Sequence, residues 1–283
     1  MSGSMKDIKR RIKSARSTVQ ITGAMQLVAS SKLRKAMARA ESIRPYFMTI
    51  YDTLSRIASD NKGFSSEYIS DKESRKPGYI VIAGDRGLAG GYNANIFKAA
   101  DELAVGEKSA FYPIGKKSVE YFGKKQNEIL WDYSDPLELF SFRNSSDLSK
   151  QIIKDFESGK IDSVSLVYTR FVNAITQRAQ VMRVLPFKPG ELSGKKRAIM
   201  EFDPSPDSVF HSILPQYLSG VLYGAVCESF ASEQASRRNA MQNASDNGKK
   251  MIEDLGLSYN RARQAAITEE ISEIVAGAAA SNM

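Results

Sequence analysis

The stretch Gly84-Asp85-Arg86-Gly87-Leu88-Ala89-Gly90-Gly91-Tyr92-Asn93 follows the apolar run Tyr79-Ile80-Val81-Ile82-Ala83. A glycine-rich turn leaving a strand is where backbone amides can cradle a phosphate, so this is the first place to look for chemistry. The spacing argues against it. A dinucleotide turn needs G-x-G-x-x-G and an acidic residue closing the second strand to hold the ribose. Here the glycines fall at 84, 87, 90 and 91, and the second apolar run ends in Gly115, Lys116 and Lys117. A Walker loop needs G-K-S or G-K-T after its spacer, and this turn has neither. The plainer reading is a tight turn between strand and helix, with Asp85 and Arg86 pairing locally and Asn93 capping the helix that follows. Glu269, Glu270 and Glu273 have the chemistry of general bases, but no nucleophile or metal partner stands beside them, so they read as exposed charges. One histidine and one cysteine, His211 and Cys227, exclude most metal and acid-base constellations as well as an internal disulfide. His211 reads as structural and Cys227 as core.

Positioning elements come next. From Ile8 to Ile57 the positions 8, 12, 15, 19, 22, 26, 29, 33, 36, 40, 43, 47, 50, 54 and 57 alternate steps of four and three, which is a coiled-coil seam interrupted by the polar Thr22 and Gln26. Pro45 removes a backbone donor inside this pattern and predicts a kink or break near Arg44. A second long helix starts at Ser205, a capping residue, with Pro206 in its first position and Asp207 at the positive end of the dipole. Its small and apolar positions, among them Leu214, Leu218, Val221, Ala225, Phe230, Met241, Met251, Leu255, Ala262 and Ala266, run without a strong stop to about Ala280, with a bend expected at Pro215. Helices of this length must cover each other. At about 1.5 Å per residue the second exceeds the first by roughly 30 Å, which leaves Ile267, Ile271 and Ile274 on a tip that needs an enclosing partner.

Between the helices the pattern changes. Short apolar runs in 78–83, 109–115, 163–171 and 183–187 alternate with helical stretches in 93–103 and 145–160. Such alternation predicts a Rossmann-like α/β unit with a mostly parallel sheet. The fold class is therefore α/β plus long helices: an antiparallel two-helix coiled coil with an inserted α/β domain. The boundaries are 5–60 for the first helix, 77–204 for the α/β domain and 206–283 for the second helix, with charged or Pro- and Ser-rich linkers at 70–78 and 202–208.

A formal charge of +8 and a pI of 9.4 call for an anionic partner, whether nucleic acid, lipid surface or acidic protein face. Lys9, Arg10, Arg11, Lys13 and Arg16 fit a solvated helix face as well as an acidic partner; Lys32, Arg34, Lys35 and Arg39 favour contact, since acids are missing between Asp7 and Glu41. No stretch approaches the roughly 20 apolar residues that span a bilayer. The basic, acid-poor start has the composition of a transit peptide, yet its pattern continues unbroken into the seam. Two other classes remain: a Rossmann-type oxidoreductase, weakened by the missing ribose carboxylate, and a basic nucleic-acid-binding coiled coil, weakened by the lack of any known module.

Residues 8–36, the turn 84–93 and above all 222–278, with Tyr259-Asn260-Arg261-Ala262-Arg263-Gln264-Ala265-Ala266-Ile267-Thr268-Glu269-Glu270-Ile271-Ser272-Glu273-Ile274, resemble the gamma subunits of F-type ATP synthases. The resemblance covers nearly the whole chain. It implies a rotor shaft without an active site of its own, coupling proton flow through a membrane ring to ATP synthesis or hydrolysis on a hexamer. Its implied partners are the alpha and beta subunits, the epsilon subunit and the ring of c subunits. Nucleotide sites lie on those partners, so no cofactor, metal, substrate or nucleic acid is expected here. The implied contact residues are Met25, Lys32, Arg34 and Lys35 toward an acidic region of beta, and Arg263, Gln264 and Thr268 toward a loop of one catalytic subunit. Read from its residues alone, Met25 fits a seam filler better than a lever. Gly23 stands where that family more usually has lysine, and the cysteine-bearing insert of chloroplast relatives is missing, so thiol control is not expected. The implied location is peripheral, on the cytoplasmic face of a bacterial membrane.

Overall fold

A computed structural model describes residues 2–60, 66–69, 74–104, 109–189, 202–203 and 205–281. They form helix α1 (Ser2–Asp60), strand β1 (Pro77–Ile82), α2 (Tyr92–Leu103), β2 (Ala110–Ile114), α3 (Lys116–Lys124), β3 (Glu128–Ile129), α4 (Phe142–Glu157), β4 (Ser163–Phe171), β5 (Gln177–Leu185) and α5 (Pro206–Ser281). The chain gathers into two compact units, one made of Met1–Ala29 with Arg238–Met283 and the other of Ser30–Arg237. The linker residues 70–73 and 204 and the last two residues of the expected second helix lie outside the described set.

The seam on α1 is real: each of its positions from Ile8 to Ile57 is buried or half-buried, and Ala15, Thr22 and Ala29 are buried in the first unit. There Val19 stands opposite Gly248, where an added Cβ would lie 2.6 Å from Val19 Cγ2. A bulky residue at this close crossing is expected to cost about 1–3 kcal/mol by overpacking. Gly248→Leu should therefore unfold at lower urea, and adding Val19→Ala should recover part of the loss; equal midpoints for Gly248→Leu and the parent would place the helices farther apart.

Of the kink or break expected near Arg44, the break does not occur: α1 runs continuously through Pro45. It sits on the exposed side, where water can satisfy the acceptor it orphans, while Phe47, Ile50, Leu54 and Ile57 hold the following turns in a core. Pro215 likewise leaves α5 continuous. Its carbonyl accepts from Ser219 Oγ (2.6 Å) and Ser149 Oγ (2.9 Å). The start of α5 follows the cap read from sequence, with Ser208 N donating to Ser205 Oγ at 3.2 Å.

In the second unit the sheet order is β3-β2-β1-β4-β5, parallel except for β5, which pairs antiparallel with β4. Alternate residues of β1 supply opposite faces. Ile80 and Ile82 join Leu148 and Ile152 of α4, Leu54 and Ile57 of α1, and Leu214, Leu218 and Leu222 of α5. Tyr79 and Val81 join Ile96 and Ala100 of α2 and Phe122 of α3 on the other face. Because both faces are covered, the central parallel strands β1 and β2 are buried at every position, whereas the edge strand β5 is exposed or half-buried until Val184. Residues 214–235 of α5 lie between α1 and the sheet and are therefore buried around most of their circumference.

Candidate functional site: the glycine turn and the exposed helix faces

The turn between β1 and α2 is packed against α5. An added Cβ on Gly84 would stand 2.7 Å from Glu233 Oε1, so only glycine lets the α5 carboxylate approach. Gly84 N donates to Asn93 Oδ1 (2.9 Å), and Asn93 Nδ2 donates to Arg86 O (3.3 Å). Asn93 thus ties the turn to itself rather than capping α2, whose cap position is Gly91 without a side-chain bond. Asp85 does not pair with Arg86 either. Its carboxylate accepts from Lys116 N (3.3 Å) and Leu137 N (2.8 Å), because the start of α3 and the stretch after β3 present free amides there. From α5, Ser236 Oγ donates to Ala89 O (2.7 Å), and Arg237 Nη2 donates to Gly87 O (3.3 Å) and Glu233 Oε1 (2.6 Å). Two carboxylates, Asp85 and Glu233, flank the turn, and a phosphate placed over it would meet their charge. The geometry is that of a fastening.

The implied contact residues fall in two groups. In the first unit Met25 is half-buried on α1, while Arg263, Gln264 and Thr268 are exposed on α5, with Thr268 Oγ1 donating to Gln264 O at 2.9 Å. In the second unit Arg34 and Lys35 are exposed, whereas Lys32 is paired with Glu138, whose carbonyl also accepts from Arg39 Nη1 at 3.2 Å. Gly23 is half-buried, Cys227 is buried, and His211 lies against Tyr68 within reach of Asp207. Glu269 and Glu270 are exposed; the side chain of Glu273 lies outside the described set.

From the crossing at Val19 and Gly248, the antiparallel register sets the early turns of α1 beside α5 as far as about Ala265. Beyond that, Ile267 (46% exposed), Ile271 (56%), Ile274 (71%) and Val275 (63%) face outward. Such a run of exposed branched side chains marks a surface made to be covered.

The sequence model of the ATP synthase family matches residues 4–280. A chain of Ruminococcus albus named ATP synthase gamma chain is 47% identical over 275 residues, spanning 95% of this chain and 96% of the relative. The chain belongs to the ATP synthase gamma family. Another gamma-family relative, from Acetobacterium woodii and named as sodium ion specific, is 40% identical over the full length of both chains. Among solved structures, a chain of the Euglena gracilis mitochondrial ATP synthase (OSCP/F1/c-ring, rotational state 3) shares the fold with a TM-score of 0.73 at 19% identity, covering 99% of this chain and 95% of its own. A rotor chain of the same enzyme in rotational state 1 gives 0.68 at 18% identity, covering 94% and 100%. Among the described residues of this gamma-family chain, no helix is long and apolar enough to cross a membrane.

Sequence reading of this gamma-family member missed the α5 side of the turn, Glu233, Ser236 and Arg237. The available signal was an acidic and a basic residue four apart in a helical stretch that otherwise presents small and apolar residues. It also missed Glu228, which lines a groove of about 540 Å³ with Arg44, Phe47, Tyr168 and Arg170. Burial pushes its carboxyl up, offset by the donated Phe171 N–H (3.1 Å) and by Arg170 and Arg44. A carboxyl raised on folding contributes stability below its unfolded value and loses it as pH rises through the folded one. Glu228→Gln keeps the acceptor for Phe171 N and removes the buried charge. It should raise the melting temperature by a few degrees at pH 7 and by less at pH 4; a variant less stable than the parent at pH 7 would show that the two arginines outweigh burial.

Proposed function

We propose that this chain is the central rotor shaft of an F-type ATP synthase and carries no catalytic site itself. The reading is supported most by one observation: Ile267, Ile271, Ile274 and Val275 of α5 stand exposed in a row. A collar formed by alternating alpha and beta subunits would cover these residues. Seated there, Arg263, Gln264 and Thr268 face a catalytic-subunit loop, and Met25, Lys32, Arg34 and Lys35 face an acidic region of beta, Lys32 by exchanging Glu138 for that partner. The helices over 5–60 and 206–283 form the shaft, and the α/β unit over 77–204 takes torque from a ring of c subunits with the epsilon subunit beside it. Each orientation of the shaft must favour a different conformation of beta, because a contact shifts an equilibrium only by its differential affinity for the states. In this reading the protein is peripheral, on the cytoplasmic face of a bacterial membrane. The transported ion is a property of the ring, consistent with a sodium-specific relative that is 40% identical to this chain.

Co-expression with alpha and beta subunits tests the proposal. A stable complex whose ATPase activity depends on this chain supports it; a hexamer equally active without the chain, or no association, overturns it. NADH titration and salt-dependent DNA binding are the arms that would instead reveal an oxidoreductase or a nucleic-acid-binding protein.

A further inference from the structure

A buried polar stripe runs along α5 inside the second unit. Ser229 Oγ accepts from Thr169 N (3.2 Å) and Ser232 Oγ donates to Thr169 O (3.1 Å), at the end of β4. One turn on, Glu233 fills the space over Gly84, Ser236 holds Ala89 O, and Arg237 holds Gly87 O. Ser229, Ser232 and Glu233 are all but fully buried, and the Arg237 side chain is 11% exposed. Apolar side chains of equal volume would bury this interface as well or better, so a row of buried polar groups, hydrogen-bonded except for Glu233 Oε2, has to be explained by what it specifies. Packed apolar surfaces let a helix slip or roll against a sheet with little directional resistance. Hydrogen bonds to fixed backbone carbonyls at successive turns of the helix do not.

We infer that this stripe is the clasp through which the sheet and α5 turn together, and that Arg237 is a positioning residue for coupling. The inference rests on the shaft reading and deepens it. Arg237 reaches three acceptors at once, the carbonyls of Arg86 (3.5 Å) and Gly87 and the Glu233 carboxylate, so it fixes both the turn and the residue that wedges against Gly84. The same turn holds Leu88 at φ 60°, a strained backbone for a residue with a side chain, beside Gly90 at φ 58°, and these contacts and Asn93 keep it there.

The test uses the complete ATP synthase assembled on lipid vesicles with Arg237→Met, Arg237→Lys or the parent chain, measuring ion uptake per ATP hydrolysed with a pH dye and with radioactive sodium. Arg237→Met keeps the length of the side chain and loses its donors. The clasp predicts a fall in ions moved per ATP of about threefold or more, with partial recovery in Arg237→Lys. An unchanged ratio overturns it. If Arg237→Met does not assemble, Ser232→Ala and Ser236→Ala, each removing one bond, decide the matter: a lowered ratio in either supports the clasp, and parental ratios in both overturn it. A parent complex that hydrolyses ATP without moving ions, or an ATPase indifferent to this chain, refutes the shaft reading itself and is thereby told apart from failure of the clasp alone.

Discussion

Gly115→Ala is expected to lower the melting temperature of the sheet-containing unit by roughly 10 °C or more. Gly115 closes β2 at φ 94° and ψ 142°, a conformation open in practice only to glycine, and an added Cβ would lie 2.0 Å from the Ala83 carbonyl oxygen. Neither neighbour can yield. Gly115 N is bonded to Tyr133 O (2.8 Å), Ala83 N to Ile114 O (3.0 Å) and Lys117 N to Gly84 O (3.0 Å), so any relief must open the parallel β1–β2 ladder or the glycine turn. Backbone strain plus a backbone clash puts the cost at about 4 kcal/mol or more, in the exceptional range for one substitution. Gly159→Ala supplies the control: it also stands at positive φ (68°) but has no atom within 4 Å of an added Cβ, so it should cost only about 1 kcal/mol. Similar losses in the two variants would mean that strain alone matters and that β1 and β2 do not meet this closely.

Removing residues 267–283 should weaken seating in the alpha and beta hexamer by about tenfold to a hundredfold while leaving the sheet unit as stable as before. Ile267, Ile271, Ile274 and Val275 are exposed, so the truncation removes little of the chain's own core. Covering each such side chain is worth about 1.5–3 kcal/mol before the costs of association, which cancel much of that gain. Titration of labelled chain into hexamer measures the first part, and thermal unfolding of the free chain the second. Unchanged affinity would remove the tip from the interface, and a destabilised sheet unit would show that the last turns support it.

Local patterns carried much of this into the sequence. The four-three spacing of α1 was readable because a helix seam depends only on near neighbours, and the residues it selects, from Ile8 to Ile57, are the shielded ones. The central strands announced themselves as continuous apolar runs because helices cover both faces of the sheet. The remainder was hidden for equally physical reasons. α3 buries only Ser118 and Phe122 and so shows no apolar stripe, and β3 has two residues. β5 was visible only at its inward end, since an edge strand keeps polar residues on its open side. Met251, expected on the seam, is exposed because the drifting spacing on α5 rotates it off the interface. The partners of the glycine turn lie near residue 235, and no spacing rule links positions so far apart. The same holds for the donors to Asp85, Lys116 N and Leu137 N, which only the folded chain brings together.

The claim that this chain rotates within a catalytic ring is tested most directly by watching it. Lys98 lies exposed on α2, and Cys227 is the only cysteine, so a Cys227→Ser, Lys98→Cys chain accepts a single optical label. With the hexamer anchored to a surface and ATP supplied, the account predicts stepwise rotation of the label in one direction, pausing three times per turn. Steady ATP hydrolysis with a motionless label would contradict it.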